Sequence, residues 1–347
     1  MQDTITKPLL KWYGENKRVL PWREKKNPYE IWVSEIMLQQ TRVEAVKPFY
    51  ERFMRELPNV AALAVCPEEK LLKLWEGLGY YNRVRNMQKA AQKIMEVYDG
   101  VFPADYEALK GLPGIGNYTA GAVASIAFCI PVPAVDGNVL RILGRVTGSE
   151  LDVLDAKNRK TFRAWAQAAI SAERPDAFNQ ALMDLGAGIC LPGGAPRCTE
   201  CPLAELCTAR EEGKQALLPV RAPKKEKRVE ELTVFLLRRE DGSVALRQRE
   251  KTGLLAGLWE YPNARGLLTE EQAAQQLAEW GVSLLRWEKS WRGKHIFTHV
   301  KWEMQGYAVT VAGKGELEWY SEEQRRKMAV PSAFEKANSI LWEWEGE

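Results

Sequence analysis

Histidine is almost missing from this chain of 347 residues, which holds only His295 and His299. A metal site elsewhere in the sequence must do without imidazole. An excess of either charge is also missing. Lys+Arg 49 against Asp+Glu 46 leaves a formal charge of +3, too mild to demand a polyanionic partner and compatible with basic patches. Long apolar runs are absent, since the stretch from Gly111 to Val135 is broken by Pro113, Gly114, Gly116, Gly121, Pro131 and Pro133, and no membrane span is expected. Residues 1–18 have neither an apolar export core nor a small-residue cleavage site, so the expectation is a cytosolic protein. There is no internal repeat and no low-complexity tract. With 46% hydrophobic and 27% charged residues, disorder, collagen and small disulfide scaffolds are excluded, and the length suits two ordinary domains.

What is present divides near residue 207. Up to there the punctuation is that of short helices. Asn27-Pro28 opens YEIWVSEIMLQQ, and Thr41-x-x-Glu44 reads as a capping box for the next helix. Further helices are expected after Asn82, after Asp105, after Gly116, around GNVLRILGRV, from Asp155 to Ala172 and over AFNQALMDLGAGIC. The segment LLPVRAPKKEKRVEE, rich in Pro and Lys, reads as a linker. Beyond it, alternating runs flank Asp241-Gly242, a type I′ hairpin signal, and Thr269 to Gln272 caps a helix before aromatic strands from Leu284 to Val311 and two closing helices. The expectation is an all-α half followed by an α+β domain.

The densest chemistry is CLPGGAPRCTECPLAELC, which sets Cys190, Cys198, Cys201 and Cys207 at C-x7-C-x2-C-x5-C. In a chain without an export signal, thiols this close read as a metal site rather than as disulfides. Zinc and a [4Fe-4S] cluster both accept four thiolates, and spacing alone does not choose. Cys66 and Cys129, set singly among apolar residues, read as free thiols. In Leu112-Pro113-Gly114-Ile115-Gly116, the glycines permit positive φ and close backbone approach, and the following helix offers N–H groups to a phosphate. That segment is either a plain turn or a grip on DNA that ignores sequence. Asp136 opens a helix after an uncharged stretch, as an N-cap or as a site carboxylate. Glu35 lies among Ile31, Trp32, Ile36, Met37 and Leu38. On the apolar side of its helix it would be desolvated and suited to donate a proton; on the outer side it would be an ordinary surface glutamate.

Together LPWR at 20–23, SEIMLQQT at 34–41, GLGYY at 77–81, LPGIGNYTAGA at 112–122, VDGNVLR at 135–141, FNQALMDLGA at 178–187 and the four cysteines resemble the MutY adenine DNA glycosylases of the helix-hairpin-helix superfamily. Residues 230–347 are similar to that family's C-terminal domain, itself similar to Nudix hydrolases. One departure is the first cysteine gap, seven residues here where the family usually has six. The resemblance implies an all-α helix-hairpin-helix glycosylase module over 1–207 with an iron-sulfur cluster loop at 190–207, a linker over 208–230, and a Nudix-like α+β domain over 231–347. It implies a DNA repair enzyme that flips adenine out of 8-oxoguanine·A or G·A mispairs in double-stranded DNA and hydrolyses its N-glycosidic bond. Such cleavage needs an acid for the leaving base and a carboxylate for the sugar cation. By resemblance Glu35 is the acid, acting at adenine N7, and Asp136 stabilises the cation, with Tyr118 and Asn138 orienting the site. Arg23 contacts the extruded adenine, Gln40 and Tyr80 fill or wedge the base stack, and Gly114 and Gly116 grip the backbone. Cys190, Cys198, Cys201 and Cys207 hold a [4Fe-4S] cluster.

Endonuclease III-like enzymes resemble the same half but carry a Schiff-base lysine where this chain has Tyr118, which implies a monofunctional glycosylase that leaves an abasic site. In the C-terminal domain the Mg²⁺-binding glutamates of the Nudix signature are replaced by Gln275, Gln276 and Ala278, with only Glu279 kept. A recognition role remains, and Phe297-Thr298-His299 resembles the family's F-S-H loop, which reads 8-oxoguanine. Two rivals stand beside this reading: an endonuclease III-like glycosylase acting on oxidised pyrimidines, and a non-catalytic DNA-binding iron-sulfur protein.

Overall fold

A computed structural model describes residues 2–193, 196–223 and 226–346. In chain order its helices are α1 (Gln2–Asn16), α2 (Pro28–Met37), α3 (Val43–Glu56), α4 (Val60–Val65), α5 (Glu68–Leu74), α6 (Asn82–Val97), α7 (Tyr106–Lys110), α8 (Asn117–Phe128), α9 (Gly137–Val146), α10 (Ala156–Ala169), α11 (Pro175–Gly188) and α12 (Thr208–Glu211). The strands all follow: β1 (Arg228–Arg239), β2 (Val244–Ala245), β3 (Arg247–Gln248), β4 (Trp259–Glu260), β5 (Asn263–Arg265), β6 (Ser283–Ile296), β7 (Val300–Ala312) and β8 (Trp319–Tyr320), with α13 (Glu270–Glu279), α14 (Glu322–Arg325) and α15 (Glu335–Gly346) among and after them. The chain forms two compact units, Met1–Cys66 with Arg85–Lys224, and Pro67–Val84 with Lys225–Glu347.

In the first unit, the Asn27 side chain accepts the N–H groups of Tyr29 and Glu30 and starts α2, whose residues from Ile31 to Met37 are all buried. Helix α8 is built mostly of Ala, Gly, Ser and Thr, so it packs closely against α2 and α11. A Cβ on Gly121 would lie 2.6 Å from the Pro133 carbonyl oxygen, so the chain leading to Asp136 rests directly on the α8 backbone. Asn179 of α11, fully buried, holds that chain: it donates to Ser125 Oγ (2.8 Å) and Val132 O (3.0 Å) and accepts the Ala134 N–H (3.0 Å). The capping box expected at Thr41 does not form. Helix α3 starts at Val43 behind Arg42 with no side-chain cap, and Glu44 pairs with Lys47 at 2.9 Å instead.

In the second unit the sheet order is β6-β7-β1-β2-β8, with β5 also on β1 and a separate β3-β4 pair. Strand β1 runs parallel to β7 from Arg228↔Val300 to Arg239↔Val311. Alternate residues of β1 face opposite sides. Val234 and Leu236 join Ile340 and Leu341 of α15, while Phe235 and Leu237 join Ala273 and Leu277 of α13. The hairpin at Asp241-Gly242 is not type I′, because Gly242 alone has positive φ (79°). Gly242 N–H bonds Arg239 O and Arg239 N–H bonds Ser243 O, both at 2.9 Å, a three-residue loop closed by a left-handed glycine. Asp241 accepts the Ser243 N–H at 2.9 Å, a local side-chain bond that braces the turn.

Candidate active site

The first unit brings together the two carboxylates that stand about a hundred positions apart in sequence. Glu35 projects from α2 and is 5% exposed, and the hydroxyl of Tyr118, in the first turn of α8, donates to its Oε2 at 2.6 Å. Asp136 caps α9: its Oδ1 accepts the N–H groups of Asn138 and Val139, each at 2.9 Å, and its Oδ2 accepts Asn138 Nδ2 at 2.9 Å. Asn138 is fixed in turn by Arg141 Nη2 on its Oδ1 (2.9 Å). Glu35, Tyr118, Asp136 and Asn138 line one open cavity of about 640 Å³ with Trp22, Arg23 and Gln180, a volume typical of small-ligand sites.

Burial pushes the Glu35 carboxyl up to about 7, against the Tyr118 hydrogen bond and the Arg23 guanidinium, while Asp136 pushes the same way as burial. Burial raises Asp136 as well, but the Val139 and Asn138 N–H groups oppose it by bonding the charged form. One carboxyl is thus suited to hold a proton near neutrality and the other to carry charge, the division that acid and electrostatic roles need.

The cavity continues as a trench past Gln40, Gly114, Gly116 and Asn117 to Arg159, Arg163 and Arg221. Only one hairpin glycine has the expected left-handed conformation. Gly114 has φ 74° and a Cβ there would meet Asn86 Cβ at 2.6 Å, whereas Gly116 has φ −90°, caps α8 and has open space where a side chain would be. Gly116 leaves the helix N-terminus uncovered; Gly114 makes the turn. Gln40 is exposed with φ 61°, and Tyr80, in the second unit, is 48% exposed with φ 48°. Non-glycine residues at positive φ are uncommon and concentrate where a side chain must be aimed.

Arg23 borders the cavity with its guanidinium on Asp184, Nη1 to Oδ2 at 2.7 Å and Nη2 to Oδ1 at 3.0 Å, and Arg18 Nε reaches the same carboxylate at 2.7 Å. Asp184 and Asn179 were not singled out in the sequence. Their signal was there: with Gln180 they are the three polar residues of FNQALMDLGA, all on a helix that is otherwise apolar and mostly buried over this stretch.

Cys190, Cys198, Cys201 and Cys207 line a second cavity with Arg145 and Leu203, and Arg145 Nη1 donates to Cys190 Sγ at 3.2 Å. All four are half-buried and outside any disulfide, whereas Cys66 is buried and Cys129 exposed. Among the described residues no group of three or more His, Cys, Asp or Glu side chains is drawn together closely enough to hold one metal ion. Gly194 and Ala195, within the seven-residue gap, lie outside the described residues.

In the second unit Phe297, Thr298 and His299 connect β6 to β7. The Phe297 ring packs at 4.6 Å from His295 and 4.8 Å from Trp302, which leaves Thr298 and His299 exposed, and Thr298 Oγ1 bonds the Tyr80 hydroxyl at 3.3 Å. On α13, the Gln275 and Gln276 amides both donate to the Glu279 carboxylate. No helix among the described residues is long and apolar enough to cross a membrane.

Residues 33–167 match the family model of the HhH-GPD superfamily of base excision DNA repair proteins, and residues 233–339 match the NUDIX domain. Fold and site together define a helix-hairpin-helix DNA glycosylase with an appended NUDIX-like domain. Adenine DNA glycosylases from Rattus norvegicus and Homo sapiens are 34% and 33% identical over 96% and 94% of this chain, which covers 77% and 72% of their lengths. That of Buchnera aphidicola strain APS is 35% identical over 84% of this chain and 82% of its own. The chain belongs to the adenine DNA glycosylase family. Its fold is also similar to that of a thermostable thymine-DNA glycosylase (TM-score 0.56, 28% identity, 61% of this chain and 97% of that one) and of endonuclease III in a non-covalent DNA complex (0.52, 25%, 61% and 98%).

Proposed function

We propose that the chain flips adenine from 8-oxoguanine·A and G·A mispairs in duplex DNA into the cavity of the first unit, hydrolyses its N-glycosidic bond and leaves an abasic site. The observation that carries this is the pairing in one cavity of Glu35, buried and bonded to Tyr118, with Asp136, whose charge is held by three N–H donors. Protonated Glu35 gives its proton to adenine N7. The electrons of the C1′–N9 bond leave with the base, and the Asp136 carboxylate stabilises the sugar cation. Glu35, now anionic, takes a proton from the water that adds to C1′. Among the described residues no lysine lines the cavity or its trench, so no amine stands ready for a Schiff base, in keeping with hydrolysis alone. Arg23, set by Asp184, contacts the extruded base, and Gln40 and Tyr80, both at positive φ, fill and wedge the stack.

The exposed N-terminus of α8 behind Gly116 serves as the phosphate grip. Gly116→Val is expected to fold normally, since the added carbon meets nothing, and to weaken binding to every duplex alike while flattening the salt dependence of affinity. A titration at several salt concentrations checks this, and a loss confined to one mispair argues against it.

The four cysteines fit a [4Fe-4S] cluster in donor type and in sharing a cavity whose wall carries the Arg145 guanidinium, a counter-charge for an anionic group. When bound, such a cluster would order the loop 198–207. Protein isolated without oxygen is expected to hold iron and acid-labile sulfide in equal amounts; stoichiometric zinc without sulfide would exclude the cluster.

Residues 231–347 read the opposite base, with Thr298 and His299 at the 8-oxoguanine edge. Adenine is a normal base, so the information that licenses its removal must come from its partner. The deciding experiment measures adenine release from duplexes carrying A opposite 8-oxoguanine, G, T or C. Release from the first two is expected, and Thr298→Ala/His299→Ala is expected to narrow the preference for 8-oxoguanine over G by about 1 to 3 kcal/mol. Excision of oxidised pyrimidines, or none from any duplex, would support one of the rivals.

A further inference from the structure

We propose that residues 67–84, which carry Tyr80, are clamped to the NUDIX-like domain by Lys73 and Glu76, so that the part of the protein that reads the opposite base also fixes the wedge. This rests on the roles given above to Tyr80 and Thr298. The segment forms one compact unit with residues 225–347 although it lies among helices of the N-terminal half in sequence. Lys73 and Glu76, three residues apart, pair at 2.6 Å. Each then grips backbone: Glu76 Oε1 accepts the Val330 N–H at 2.7 Å, and Lys73 Nζ donates to Met328 O at 2.8 Å.

These two backbone groups flank Ala329, whose carbonyl accepts the Trp259 N–H at 3.0 Å at the start of β4. Met328 and Val330 pack in the same apolar cluster as Phe297, so the clamp and the β6–β7 turn are fastened to one body. Charge-assisted bonds to backbone are roughly twice as strong as neutral ones, and backbone cannot rotate away as a side chain can.

The loop beyond the clamp turns sharply and is braced, with strain at Tyr80 alone. Gly77 (φ 96°), Gly79 (φ 68°) and Tyr80 (φ 48°) are all left-handed. Arg83 Nη2 donates to Leu78 O (2.9 Å) and Gly79 O (3.1 Å), Trp75 Nε1 donates to Gly79 O (3.0 Å), and the Arg83 guanidinium lies over the Trp75 and Tyr80 rings at 5.2 and 5.7 Å. A loop this rigid transmits the position of its base to its tip. With Thr298 bonded to the Tyr80 hydroxyl at that tip, reader and wedge are held at both ends.

The test uses the full chain and the variants Glu76→Ala, Lys73→Met and Glu76→Gln. In the free protein, amide exchange over residues 77–83 is expected to rise about tenfold in the first two, with residues 31–37 unchanged. Glu76→Gln, which keeps an acceptor for Val330, is expected to change less. Unaltered exchange at 77–83 overturns the clamp whatever the substrate preference. In single-turnover adenine release, the preference for 8-oxoguanine·A over G·A is expected to fall about tenfold in Glu76→Ala and Lys73→Met, with no further loss when Tyr80→Ala is added. Full preference in a variant whose loop exchanges faster overturns the coupling. A wild-type protein without any preference overturns the reading of Thr298 instead, and the exchange result still decides the clamp.

Discussion

Glu35→Gln is expected to reduce adenine release by at least the 10² to 10⁴-fold typical of a lost general acid, and by more if water activation is lost with it. The amide still accepts the Tyr118 hydroxyl that now reaches Oε2, so cavity shape and mispair binding are expected to survive. The pH dependence follows from the direction of the shift. Burial raises the carboxyl from 4.5 to about 7, so the proton-donating form is present below neutrality and is lost as pH rises through about 7. The wild-type rate is expected to fall along that limb. Folding stability moves with it, because the folded state holds a proton that the unfolded chain gives up between 4.5 and 7. The stability is full below 4.5 and declines as pH rises to about 7, by an amount on the order of 3 kcal/mol. Glu35→Gln has no charge to bury and is expected to melt higher than wild type at pH 8. An inactive variant that is more stable is a pattern that misfolding cannot produce. Near-normal turnover, or a lower melting temperature at pH 8, would remove Glu35 from the acid role.

Asp136→Asn separates capping from catalysis. The α9 N-terminus is satisfied through Asp136 Oδ1, and an asparagine oxygen accepts the same Asn138 and Val139 N–H groups. The new amide nitrogen faces Asn138 Nδ2, donor against donor, so that one bond is lost and stability is expected to fall modestly, while adenine release drops by about 10² to 10³-fold because a preorganised charge beside the sugar cation is gone. Asp136→Ala is expected to lose about 1 kcal/mol of stability in addition. Single-turnover kinetics beside thermal melts distinguish the two residues' roles. Activity retained in the asparagine variant, with greater destabilisation in alanine, would mean that Asp136 is a cap and nothing more.

The two carboxylates were legible in the sequence as residue types in telling surroundings, each with a plain alternative; three dimensions remove it for Glu35 and keep it beside the other reading for Asp136. Glu35 stands on a helix whose neighbours are apolar on every side, so periodicity could not say which way it faces; the small residues of α8 settle that by packing against α2. Asp136 proves to be a cap and a cavity residue at once. The Thr41 box failed because a capping pattern four residues long carries no information about where the preceding turn ends. The hairpin glycines looked alike in Gly-Ile-Gly, yet one meets Asn86 and the other meets open space, a distinction made by α6 from elsewhere in the chain. Asp184 escaped notice because a carboxylate's value lies in its partners, and Arg18 and Arg23 are far away in sequence. The grouping of residues 67–84 with the C-terminal domain has no local signature at all.

The contact at Gly121 sets a ruler inside the active site. Tyr118 stands one turn before this glycine on α8, and Asp136 stands three residues after the Pro133 carbonyl that touches it, so backbone lies on backbone between the two halves of the chemistry. No side chain intervenes whose rotamer could change. The spacing between α8 and the chain that leads to Asp136 is therefore a property of two peptide chains in contact, as hard to stretch as a crystal spacing. Divergence elsewhere in the surrounding core can proceed without shifting that chain, provided that this position stays bare and Asn179 keeps its bonds to Val132 and Ala134.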